Sequence, residues 1–123
     1  MMSTCVVLAG HGSRNAEANA SLKALAAELE RKLGERAYPA FLEMAEPSIE
    51  TTIKGCVVSG AERVVLVPYF LHPGMHVRRD LVEIIDAARL AYPAVRFEMS
   101  DFFGSHPGVP DLLADLVEHA VKG

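Results

Sequence analysis

Four short apolar runs alternate without exception with four segments of helical spacing, and that alternation leaves very few folds open to the chain. The runs are "TCVVLAG" (4–10), "AYPAFLEM" (37–44), "RVVLVPYF" (63–70) and "VRFEMS" (95–100). The third is apolar at nearly every position, the pattern of a strand covered on both faces. Between the first two runs lies "NAEANASLKALAAELERKLG" (15–34), with Leu22, Leu25, Ala26, Leu29 and Leu33 on one stripe and Gly34 as its stop. "EPSIETTIKGCVVSG" (46–60) follows, with Ser48 as N-cap and Glu50 in the first turn. A third helix is expected from Val77 or Arg78 to Tyr92, ended by Tyr92-Pro93. A closing helix, "PDLLADLVEHAVK" (110–122), has Pro110 in its first turn. This order predicts an α/β fold with a four-stranded parallel sheet, right-handed crossovers and helices on both faces. In such folds, ligands bind beyond the carboxyl ends of the strands.

At 123 residues and 13.3 kDa, the chain is expected to form one domain over residues 1–123. Half of its residues are hydrophobic and 23% are charged, which excludes a disordered chain. The net charge of −4 argues against a nucleic-acid partner. Cys5 and Cys56 share no metal or redox spacing, so two buried thiols in a reducing compartment are expected. The start, "MMSTCVVLAGHGSR", has no basic stretch, and its apolar run is too short for a signal peptide or a membrane span. A cytoplasmic protein without a membrane partner is the expectation.

A parallel sheet brings three loops to one edge. After the first strand stand Gly10, His11, Gly12, Ser13 and Arg14; after the second, Glu43 and Glu46; after the third, His72, Gly74 and His76. Two imidazoles and a carboxylate there would make a ligand set for a divalent transition metal with a position left open. Each has a plainer reading. His11 could be a turn residue, although flanking glycines allow close approach of a ligand. Glu43 is either solvated or held by a partner, because an unpaired buried carboxylate is costly. Glu46 precedes Pro47 and suits a capping or solvated role. His72 and His76 are four apart, but Pro73 and Gly74 break any regular helix between them, so one of the two is expected to face the site. His106 reads as a turn or rim residue, and His119 suits a helix C-terminus. Ser13 and Arg14 lie at a helix N-terminus suited to anions. Arg78 and Arg79 oppose the dipole of a first helical turn, which points to an anionic partner. A histidine phosphatase would place arginine directly before His11, where Gly10 stands, and no Gly-x-Ser-x-Gly elbow is present.

"GHGSR", "LEMAEPSI", "RVVLVPYFLHPGMHVRRDL" and "GSHPGVPDLL", in that order, resemble the short class II chelatases, the sirohydrochlorin cobalto- and ferrochelatase family. The resemblance implies a metal chelatase, a lyase that inserts cobalt or iron into sirohydrochlorin on the way to sirohaem or cobalamin. His11, Glu43 and His76 match the family's metal-binding and catalytic positions; His72 matches no ligand position. The divalent metal is then a substrate, with nickel a further candidate, and no organic cofactor is expected. Ser13, Arg14 and Arg78 are the candidates for binding the carboxylates of the tetrapyrrole. Phe70, Leu71, Met44 and Met75 could wall its face or pack the hinge. The family's chelatase fold has two related halves around a cleft, and this length matches a single half-module, so a homodimer is expected. Leu81, Ile84 and Ile85 are candidates for its interface or for the core. The rival reading is a metal-binding or metal-delivery protein with the same ligands and no turnover.

Overall fold

β1 (Thr4–Gly10) is buried at all seven positions, because its side chains are apolar or small on both faces and it lies inside the sheet. The computed structural model describes residues 2–123. Along the chain, β1 is followed by α1 (Ala16–Leu33), β2 (Arg36–Phe41), α2 (Ile49–Val58), β3 (Arg63–Pro68), α3 (Met75–Ala91), β4 (Arg96–Met99), a 3-10 turn (Phe103–Ser105) and α4 (Val109–Lys122). All strand pairs are parallel, in the spatial order β2-β1-β3-β4. The chain leaves β1 to one side for β2 and returns past it to β3. The carboxyl ends of β1 and β3 therefore flank the point where the strand order reverses, the place where sheets of this kind hold ligands.

The expected α/β order and parallel sheet are present. On one face, α2 and α3 pack Ile49, Ile53, Leu81 and Ile85 against Val7, Val64 and Leu66. Leu81 and Ile85 are 3% and 2% exposed, so neither is open to a second subunit; Ile84 beside them is half-buried. The interface reading of Leu81 and Ile85 gives way to the core reading. On the other face, α1 lays Leu22 and Ala26 over Leu8 and Phe41. The α1 stripe is wider than the sheet beneath it, leaving Leu25 and Leu33 exposed.

Several boundaries differ from expectation. β2 ends at Phe41, because Leu42, Glu43 and Met44 turn away and Met44 takes a φ of 64°. β3 ends at Pro68, and α3 begins two residues early, at Met75, with Gly74 as its N-cap. Most informative is the burial of β3. Val64, Leu66 and Pro68 are buried while Val65 and Val67 are only half-buried, so a strand whose sequence suits cover on both faces has full cover on one. The helix that could cover the other face is α4. It buries no residue and has no more than marginal contact with any other element. No helix among the described residues is long and apolar enough to cross a membrane.

Candidate metal and substrate site

The carboxyl edge is organised by a continuation of the β1–β2 pairing beyond the strands. The Leu42 N–H donates to the Gly10 carbonyl at 2.9 Å, and the Glu43 N–H donates to the His11 carbonyl at 3.0 Å. This rung sets the two side chains next to each other. His11 Nε2 lies 3.3 Å from Glu43 Oε1, and about half of each side chain is exposed (46% and 53%). The pair is thus held together yet open to an incoming molecule. His11 Nδ1 lies 3.3 Å from the Gly12 carbonyl, so both ring nitrogens face an oxygen acceptor. The alternatives left open for Glu43 resolve to an exposed carboxylate with a partner, and Glu46 is exposed beside a cis peptide to Pro47.

Each member of the pair lines a hollow of its own. His11 lines one of about 260 Å³ with Gly10, Ser13, Leu22 and Tyr69. Glu43 lines the other, of about 540 Å³ between α2 and α3, together with Glu50, Asp80 and Glu83. The second hollow has four carboxylates and suits a cation better than a polyanion.

His76 stands exposed in the first turn of α3, after the β3 end. The structure brings His11 and Glu43 together and does not bring His76 into the pair. Among the described residues, no group of three His, Cys, Asp or Glu side chains is close enough to hold a metal ion. His72 lies outside α3 in a bend, so it and His76 form no helical pair. Its ring meets Phe102 edge-on at 6.2 Å.

The anion-binding candidates fare differently from one another. The Ser13 N–H is already donated to Asn19 Oδ1 at 3.0 Å, and its hydroxyl accepts from the Asn15 N–H at 3.0 Å. Asn15 caps α1 by accepting from the Glu17 N–H. Ser13 therefore shapes the loop more than it offers free donors. Arg14 is exposed, with no ion pair among the described residues. Arg78 is positioned: its Nε donates to the Pro73 carbonyl at 3.1 Å, and its guanidinium lies 4.8 Å from the Phe102 ring centroid. Of the candidate wall residues, Met44, Leu71 and Met75 are exposed, whereas Phe70 packs against the core.

Phe102 is the residue that sequence reasoning missed. The signal was an aromatic pair, Phe102-Phe103, in an otherwise polar loop. Phe103 meets Tyr69 with ring centroids 5.2 Å apart, and the Gly104 N–H donates to the Phe70 carbonyl at 2.9 Å. The loop after β4 thus braces the loop after β3. His106 serves the turn, with Nδ1 accepting from the Gly108 N–H at 2.8 Å. His119, in the last turn of α4, lies 3.5 Å from Asp115.

Comparison with known proteins agrees with this arrangement of the sheet. The CbiX family model matches residues 5–120. The chain is 32% identical to the chloroplastic sirohydrochlorin ferrochelatase of Arabidopsis thaliana over 118 residues, which are 95% of this chain and 52% of that protein. It is 27% identical to the sirohydrochlorin cobaltochelatase of Priestia megaterium over 121 residues, 98% of this chain and 39% of that one. It therefore spans about half or less of the length of these relatives. A crystal structure of a CbiX protein from Marinobacter aquaeolei superposes with a TM-score of 0.85 at 26% identity, covering 97% of this chain and 98% of that one. With a family match over nearly its whole length and the same fold as a solved member, the chain belongs to the CbiX family.

Proposed function

We propose that this chain is a sirohydrochlorin metal chelatase that inserts a divalent ion, cobalt or iron, on the way to sirohaem or cobalamin. The observation that carries the reading is the half-exposed His11–Glu43 pair, 3.3 Å apart at the carboxyl edge of β1 and β2. It is supported by the names of the relatives, which are ferro- and cobaltochelatases acting on sirohydrochlorin. Insertion exchanges one divalent ion for two pyrrole N–H protons. In this reading the His11 imidazole meets the ion, and Glu43 beside it neutralises charge and passes a proton on. His76, which stands apart from the pair in the first turn of α3, is the second imidazole that the family resemblance assigns to the ion. The acidic hollow beside Glu43 favours the approach of a cation, while Arg14, Arg78 and the loop shaped by Ser13 receive the macrocycle's carboxylates. A nitrogen–carboxylate donor set accepts cobalt, iron or nickel, so metal supply decides among them.

A tetrapyrrole is broad for the edge of one four-stranded sheet, and the chain matches about half of its longer relatives. In this reading residues 1–123 act as one half-module, and a second copy supplies the other wall of the cleft. Two free, buried thiols support a cytoplasmic setting. The deciding experiment is anaerobic incubation with sirohydrochlorin and each ion in turn, with initial rates read by absorbance. His11→Ala is expected to lower the rate by about 100-fold or more with the fold retained, and His76→Ala to do the same. His72→Ala is expected to leave the rate nearly unchanged. A His11→Ala variant at the wild-type rate would remove the basis of the assignment.

A further inference from the structure

We infer that Gly104 is a positioning residue for Arg78, fixing the separation between two halves of a guanidinium seat that come from different loops. Arg78 belongs to the first turn of α3, a helix anchored in the core farther along by Leu81 and Ile85. Its side chain is held from outside that helix. Nε donates to the carbonyl of Pro73, in the loop after β3, and the guanidinium lies 4.8 Å from the ring of Phe102, in the loop after β4. The other N–H groups of Arg78 have no hydrogen bond or ion pair among the described residues, which leaves a planar, two-pronged face for a carboxylate. One hydrogen bond leaves a long side chain free to swing, and a ring face alone lets it slide. The two together select one direction for the guanidinium, provided that the loops keep their distance.

That distance is set at Gly104. Its N–H donates to the Phe70 carbonyl at 2.9 Å. A Cβ added there would stand 1.7 Å from the Leu71 carbonyl oxygen and 2.8 Å from the Leu71 Cα. Both obstacles are backbone, which cannot rotate aside as the end of a side chain can. Gly104 is not among the residues with a positive φ, so space alone excludes a side chain at this position. The contact is two residues from Phe102 along one loop and two from Pro73 along the other. It touches neither the rung between His11 and Glu43 nor α3 itself. A methyl group at 104 therefore pushes the loops apart, drawing the Phe102 ring and the Pro73 carbonyl out of register while the helix that carries Arg78 stays in place. Phe103, packed on Tyr69 with ring centroids 5.2 Å apart, closes the same joint beside it. The inference rests on the reading of Arg78 as a receiver of the substrate's carboxylates.

The test is a double-mutant cycle in the full chain, with sirohydrochlorin and divalent cobalt under anaerobic conditions. Arg78→Gln is expected to raise KM for sirohydrochlorin about tenfold, as the loss of a charge-assisted hydrogen bond does. Gly104→Ala is expected to raise it about fivefold with kcat little changed, and to add nothing further in the Arg78→Gln background. Effects that add, or a Gly104→Ala variant with the wild-type KM, would overturn the inference and spare the Arg78 reading. An Arg78→Gln variant with the wild-type KM would overturn the Arg78 reading and, with it, the role of Gly104. A second readout needs no substrate. The Nε–H nuclear magnetic resonance signal of Arg78, shifted by the Phe102 ring and assigned by its loss in Arg78→Gln, should move toward that of a free arginine in Gly104→Ala, with the amide signals of β1 and α2 unchanged. A signal that stays in place would overturn the positioning role whatever the substrate is. Should Gly104→Ala fail to fold, Phe103→Leu loosens the same joint without a steric conflict. It must then move KM and the Arg78 signal in the same directions, and wild-type values for both would overturn the inference.

Discussion

The Glu43 carbonyl oxygen lies 1.7 Å from where a Cβ on residue 12 would stand, and residue 12 has a φ of +97°. Both facts exclude any side chain there, and both follow from the rung that joins His11 to Glu43. Gly12 is therefore the steric condition for the His11–Glu43 pair, not a passive turn residue. Gly12→Ala should cost about 1–3 kcal/mol of stability through backbone strain alone. It should also push Glu43 from His11 and depress the proposed metal insertion further than the stability loss explains. Thermal melting and initial rates on the same preparation check this, and a variant with wild-type values for both would show that the rung can yield.

The elements differ in how they hold the site. β1 and β2 position His11 and Glu43 through backbone hydrogen bonds, which are rigid. The loop after β3 is braced instead by aromatic contacts from the loop after β4, with Phe102 beneath Arg78 and beside His72. An exposed cation–π contact contributes about 0.5–1 kcal/mol. Phe102→Ala leaves the Arg78–Pro73 hydrogen bond in place but releases the guanidinium from its ring. About 1 kcal/mol corresponds to about a fivefold change in affinity. With the proposed tetrapyrrole substrate, steady-state kinetics should show KM rising by about that factor with kcat little changed. A drop in kcat at constant KM would place Phe102 in the reacting geometry rather than in Arg78 orientation.

At the scale of the molecule, the two cysteines meet in the core between β1 and α2. Burial pushes the Cys56 thiol well above its ordinary range, and the hydrogen bond and charge interaction with Cys5 push the same way, against a smaller lowering by Arg36. A raised thiol stays protonated in the folded protein while the unfolded chain begins to lose that proton at about pH 8.5. The unfolded state then binds fewer protons, so this contribution is fully present below about pH 8.5 and declines above it. Melting temperature should fall on the alkaline side, and Cys56→Ala, although less stable overall, should show a shallower fall. Equal slopes in the two proteins would assign the alkaline loss to other groups.

The element order and the parallel sheet could be read along the chain, because periodicity and capping are local properties and each run carries its own signal. Ser48 as a cap, Gly34 as a stop and the broken helix between His72 and His76 belong to that class. The edge that carries His11, Glu43 and His76 followed from topology alone. The contact between His11 and Glu43 did not, since it rests on a rung between loops far apart in sequence. The same holds for Phe102 under Arg78, where an aromatic residue in a polar loop gains meaning only from what it meets. The sequence of β3 called for cover on both faces, and only the packed molecule revealed one face half-open and α4 apart from it. Hydrophobic patterning specifies that a surface must be buried, whereas the direction of the connecting turn decides against what.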